Sequence, residues 1–233
     1  INPLGGEWRT ELTLGDKTEV TSELFQPIDY GSNWFASAIA GFVSEDRALY
    51  QMGVVTSMYS TETREYGLDA GYTLDTRGEF RAGFRQSRVA NKLILGASSL
   101  GAEIDDSRYF VRAGYDTLDS LGFPTKGVRL LGEYSIHDST LGATKQYDDL
   151  TLDMLYPFYH SNRTTLVAQG YFGYLFETSV TDVTPRYSLG GFTRLSGYSP
   201  DEISGRHASL ISVIGYQRLN EQVVFPIDQP LVL

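Results

Sequence analysis

The residues that could do chemistry in this chain are poorly spaced for it. A serine hydrolase of the nucleophile-elbow type needs Gly-x-Ser-x-Gly with an acidic partner. The nearest approach, Gly96-Ala97-Ser98-Ser99-Leu100-Gly101, has the wrong spacing and reads as a loop tip. His137, His160 and His207 fall on three different strands or turns, without metal-ligand spacing. Asp149 and Asp153 share one face of a strand, but that separation is about 13 Å, too far for an acid/base pair. They read as polarity of that face. With no cysteine, thiolate nucleophiles, thiolate metal sites and disulfides are absent. The segment is therefore expected to hold no catalytic residues, no metal and no cofactor.

Two other groups are spaced for shape. In Leu189–Tyr198, Gly190, Gly191 and Gly197 permit backbone angles or close approaches closed to other residues. Arg194, Ser196 and Tyr198 are interleaved with them. In Asp116–Gly127, the residues Asp116, Asp119, Phe123, Pro124 and Gly127 read as a turn-shaping set rather than a binding site. Pro124 fixes φ and Gly127 supplies freedom.

The elements that must position these groups are strands. Trp8, Thr10, Leu12 and Leu14 alternate with Glu7, Arg9, Glu11 and Thr13, and the same period of two recurs along the chain. Strands are expected at 6–14, 18–25, 33–50, 56–75, 79–95, 108–116, 128–137, 149–156, 166–176 and 207–219, with an irregular stretch at 177–206. No helical period occurs. Short turns fall at 26–31, 75–78, 156–162 and 223–228, with longer polar connections between them. In an up-and-down sheet this gathers the short turns at one end.

The chain has 233 residues, 24 Gly, 16 Tyr and a formal charge of −10. The acidic balance argues against nucleic acid as a partner. No apolar run is long enough for a membrane helix. The chain opens on Ile without a charged-then-apolar leader, and a mature segment or fragment is expected. Several strands exceed the roughly 5–6 residues typical of soluble sandwiches and reach the roughly 9–11 that cross a bilayer at a tilt. Tyr156, Phe158, Tyr159, Tyr171, Phe172, Tyr174 and Phe176 cluster near strand ends, as an interfacial girdle requires. Arg81, Arg85, Glu65 and Asp69 lie mid-strand on the other face, where lipid would penalise them, so they need a watery lumen or ion-pair partners. The expected fold is all-β: an antiparallel up-and-down transmembrane β-barrel.

Two motifs then resemble a family. Asp116-Thr117-Leu118-Asp119…Phe123-Pro124-Thr125-Lys126-Gly127 is similar to a mid-barrel periplasmic turn of the BamA/TamA superfamily of outer-membrane barrels, the bacterial surface antigen family. Gly190-Gly191…Ser196-Gly197-Tyr198 resembles that family's long sixth extracellular loop, which folds back into the lumen. The family's loop arginine falls at Ser196 here, with Arg194 two residues earlier. The opening Asn2–Leu12, with Glu23-Leu24-Phe25-Gln26-Pro27, is similar to the patatin-like phospholipase autotransporters. The resemblance implies a partial barrel in residues 1–233, about ten of an expected total of about 16 strands. It implies the outer membrane of a Gram-negative bacterium as location, with lipid, an N-terminal passenger, a POTRA module and the outer-membrane assembly machinery as partners. The expected function is translocating or anchoring that passenger, a patatin-like phospholipase. The alternative is an assembly factor that inserts other barrels. Passage of substrate and a purely structural plug both stand as roles for the loop. With open edges in lipid, residues 1–233 alone are expected not to insert as a stable monomer.

Overall fold

The computed structural model describes residues 4–31, 33–51, 53–96, 103–176, 187–191 and 194–217. The strands are β1 (Glu7–Thr13), β2 (Lys17–Pro27), β3 (Trp34–Gln51), β4 (Val54–Leu74), β5 (Gly78–Gly96), β6 (Glu103–Asp105), β7 (Arg108–Asp116), β8 (Arg129–His137), β9 (Tyr147–His160), β10 (Thr164–Leu175), β11 (Tyr187–Leu189), β12 (Ile203–Gly205) and β13 (His207–Gln217). The ten long ones form an antiparallel sheet in the order β1-β2-β3-β4-β5-β7-β8-β9-β10-β13, and β6 pairs with β5 off that path. β11 and β12 form a hairpin of their own between β10 and β13. Among the described residues, β1 and β13 are the edges of the sheet.

The sheet is inside out relative to a water-soluble one. On β4, Asp69 is 6% exposed and its neighbour Leu68 is 53% exposed. On β5, Arg85 is 4% exposed and Phe80 48%. Alternation with the polar set buried and the apolar set bare fits a wall with a polar interior and lipid outside. The outer face carries two aromatic belts. Trp34, Tyr72, Phe80, Tyr115 and Tyr156 lie toward one end, and Tyr66, Tyr109, Tyr134 and Tyr174 toward the other. Tyr66 and Tyr72 share the outer face of β4, as Tyr109 and Tyr115 share that of β7, each pair about 20 Å apart along the strand. Leu68, Ala70, Val111 and Ala113 fill the band between them.

Three details differ from the sequence reading. Tyr171 is not part of a girdle: it pairs with Leu210 of β13 and faces the interior. Connection length does not separate the two ends cleanly. The end bearing turns 28–33, 75–77 and 161–163 also bears the twelve-residue turn 117–128, and the opposite end has the brief connections 14–16 and 52–53. The added height at that opposite end is built as strand instead: β3, β4 and β5 have 18, 21 and 19 residues, against 9 in β7 and β8. Finally, bulges break the period of two. One at Phe158, between Leu166 and Val167 of the partner strand, places Tyr156, Phe158 and Tyr159 all outward, with Pro157 at the irregularity where no ladder N–H is needed. The turn expected at 223–228 lies outside the described residues, as does most of the Gly96–Gly101 loop.

Candidate functional site

The interior wall is laced by ion pairs between strands, some adjacent and some separated by one or two others. Arg81 on β5 pairs with Glu23 on β2 at 2.7 Å and lies 3.6 Å from Asp69 on β4. Arg85 donates to Asp69 at 2.6 Å and lies 3.7 Å from Glu65. Arg108 on β7 bridges Glu65 at 3.2 Å and Glu133 on β8 at 3.8 Å, and Arg112 closes on Glu133 at 2.5 Å. The four charges singled out in the sequence, Arg81, Arg85, Glu65 and Asp69, thus partner one another. Alternation puts their side chains on one face, and antiparallel register brings opposite charges within reach.

Two aromatic platforms support this ladder. The Arg81 guanidinium lies 4.8 Å from the centre of the Phe35 ring, and Arg85 and Arg112 lie 4.6 and 5.6 Å from that of Phe110. Phe35 and Phe110 are buried interior residues, and the sequence reading did not single them out. Glycine makes the space: a Cβ at Gly71 would stand 2.5 Å from the Phe35 ring, and one at Gly67 would stand 2.9 Å from Arg85 Cδ.

The ladder runs on into a buried polar cluster. His137 Nε2 is 3.0 Å from Asp149 Oδ1, and its Nδ1 is 2.5 Å from Asp106 Oδ1. Tyr147 stacks on the His137 ring at 4.0 Å and donates to Asp106. Asp149 has a second partner, the hydroxyl of Tyr187 on β11, which donates to Asp149 Oδ2 at 3.0 Å. The Tyr187 ring lies flat on Gly173 of β10, where a Cβ would stand 2.6 Å away. Asp153 lies on the same interior face of β9 without joining this cluster. His160 meets Thr165, and His207 stacks on Tyr174, so the three histidines stay apart.

Tyr187 begins the hairpin that carries the glycine motif. Gly190 has φ +136, and a Cβ there would stand 2.0 Å from the Ser199 carbonyl oxygen, so only glycine fits. The Leu195 and Arg194 amides donate to the Gly191 carbonyl, and the Gly191 amide donates to the Tyr198 carbonyl, so the motif folds on itself. Ser196, Gly197 and Tyr198 are exposed at its tip. Arg194 turns to the wall, its guanidinium 4.4 Å from the centre of the Tyr171 ring, and it makes no ion pair among the described residues. The hairpin is therefore held by Tyr187 on Asp149 and by Arg194 on Tyr171. Tyr187 was not legible beforehand: it stands in the stretch without periodicity, and its partners are distant in sequence.

The turn motif lies at the other end. Asp119 accepts from the Thr125 hydroxyl at 2.5 Å, the Thr125 amide at 2.8 Å and the Lys126 amide at 3.2 Å. Those donors, the Thr125 hydroxyl first, hold its carboxyl down to about 2 against an ordinary 3.8. Asp116 caps the Leu118 amide. Gly127 has φ +94, with the Thr117 carbonyl oxygen 2.1 Å from where a Cβ would be. Phe123 meets the Tyr216 ring edge-on at 5.5 Å, and Pro124 is buried, its carbonyl accepting from the Tyr216 hydroxyl. The set shapes the turn and also ties it to β13.

Comparison with known proteins bears on this arrangement. The Omp85 superfamily domain matches residues 6–225. No curated protein matches the chain significantly. Among solved structures, the chain is similar to BamA from Haemophilus ducreyi lacking POTRA domains 1–3, with a TM-score of 0.65 and 14% identity over 86% of this chain and 41% of that one. At that identity the likeness is one of fold, and this chain spans about two-fifths of the length of that structure. An antiparallel inside-out sheet, a glycine-rich hairpin against its polar face and a family match over most of the length agree: the chain belongs to the Omp85 superfamily.

Proposed function

We propose that this chain is the barrel wall of an outer-membrane translocator in a Gram-negative bacterium, one that exports or anchors an N-terminal passenger. The observation that carries this reading is the interior surface. Arg81, Arg85, Arg108 and Arg112 pair there with Glu23, Glu65, Asp69 and Glu133, and the Ser37, Ser87 and Ser135 hydroxyls donate to carboxylates of the same ladder. A wall whose ladder charges are paired and whose hydroxyls are engaged offers an extended polypeptide few places to stick. The hairpin that carries Gly190 and Tyr198 meets the wall, among the described residues, through a few contacts and can move aside. The resemblance of the opening residues to patatin-like phospholipase autotransporters makes a lipase the proposed passenger, with a POTRA module ahead of the barrel. Lipid and the outer-membrane assembly machinery are the remaining proposed partners. The segment itself is proposed to hold no catalytic group, and lipase activity retained by residues 1–233 alone would overturn that.

The likeness to BamA favours a second reading, an assembly factor that inserts other barrels. Deleting the gene separates the two. Translocation predicts that one surface-exposed protein disappears and other barrels keep their normal levels. A general loss of outer-membrane barrels supports the assembly reading.

A further inference from the structure

The turn at residues 117–128 does more than join β7 to β8. Two strands, β9 and β10, separate β8 from β13 in the sheet, yet Phe123 and Pro124 reach Tyr216 near the end of β13. Tyr216 shares a face with Thr165, its register partner on β10, and that face is the interior one, because Tyr171 six residues further along β10 lies under Arg194. The turn therefore leans over the interior face of β9 and β10 at this end. A cavity of about 340 Å³ lies along its path, lined by Phe123 and Thr125 from the turn, His160 at the end of β9, Arg163 from the β9–β10 connection, and Tyr216.

We infer that residues 117–128 form a strap that closes the short-turn mouth of the lumen, with Tyr216 as its latch. The strap is stiff: the three bonds onto Asp119, the cap from Asp116 and the pairing of Thr117 with Val128 fix its shape without help from β13. Among the described residues it is fastened to β13 by one hydroxyl-to-carbonyl bond and one ring contact. A stiff body on a weak latch moves as a unit rather than unravelling. The hairpin at 187–205 and this strap then close the lumen from opposite ends, and both rest against the β10–β13 side of the wall. The inference rests on the reading of the lumen as a passage.

The test uses the full-length protein in planar bilayers and in cells. Tyr216→Phe keeps the ring on Phe123 and removes the bond to Pro124. Two closures in series multiply, so open-state occupancy is expected to rise about fivefold, the shift that one ordinary hydrogen bond allows. Phe123→Cys with Tyr216→Cys, bridged by a short reducible bis-methanethiosulfonate, is expected to abolish conductance, with recovery on reduction; this segment has no native cysteine to interfere. Unchanged conductance in Tyr216→Phe and after bridging overturns the strap. If conductance responds to both while surface display of the passenger is unaffected, the strap stands and the translocation reading fails.

Discussion

At the scale of single residues, buried charges and one hydroxyl hold the interior together. Asp69 sits at the centre of the ladder, between Arg81 and Arg85, with Ser37 donating to it at 2.6 Å. Asp69→Asn leaves buried guanidinium without its counter-charge and should cost about 3 kcal/mol, read as a lowered urea midpoint in detergent. Tyr187→Phe removes one hydrogen bond and should cost about 1 kcal/mol, with faster protease cleavage within 187–205. Asp119 makes a pH prediction. Its folded-state value, about 2, lies below the ordinary 3.8, so its contribution to stability is present above about pH 4 and is lost as pH falls toward 2. Asp119→Asn should flatten the acid limb of stability in that window relative to the parent, and parallel acid limbs in the two proteins would contradict it. The ladder charges were legible in the sequence because alternation assigns them a common face. Phe35, Phe110 and Tyr187 were not, because apolar or aromatic type says outward until the register shows which side a residue takes.

At the scale of elements, the strands decide where charge is tolerated. Val111 on β7 lies between the two aromatic belts on the outer face. Val111→Arg there should destabilise the barrel by about 2–4 kcal/mol. A polar substitution at Arg112, next along the strand and facing Glu133, should lose only a partly exposed ion pair, on the order of 1 kcal/mol or less. Equal costs at the two positions, measured by unfolding in detergent, would mean that the faces are misassigned. Strand existence and order followed from the period of two and from turn residues. Bulges did not: Phe158 and Ile94 each insert one residue opposite a bonded pair, and nothing in the residue types announces that. Tyr171 was grouped with Phe172, Tyr174 and Phe176 because they are neighbours, although Tyr171 is odd-numbered on a strand whose even positions face out.

At the scale of the whole molecule, an inside-out wall encloses a glycine-built hairpin at one end and a carboxylate-built turn at the other. Both motifs were visible as sequence. What the sequence could not supply was their attachment. Tyr187–Asp149 and Pro124–Tyr216 join residues 38 and 92 positions apart, and such contacts follow from topology rather than from local spacing. In the hairpin Ser196 is exposed, and Arg194 and Tyr187 make the contacts to the wall. The central claim is that the apolar face meets lipid and the charged face meets the interior. Spin labels placed singly from Leu150 to Tyr156 on β9 test it in reconstituted membranes. Oxygen accessibility should alternate with a period of two, high at Leu152, Met154 and Tyr156 and low at Thr151, Asp153 and Leu155. The reverse phase, or no alternation, would contradict the account.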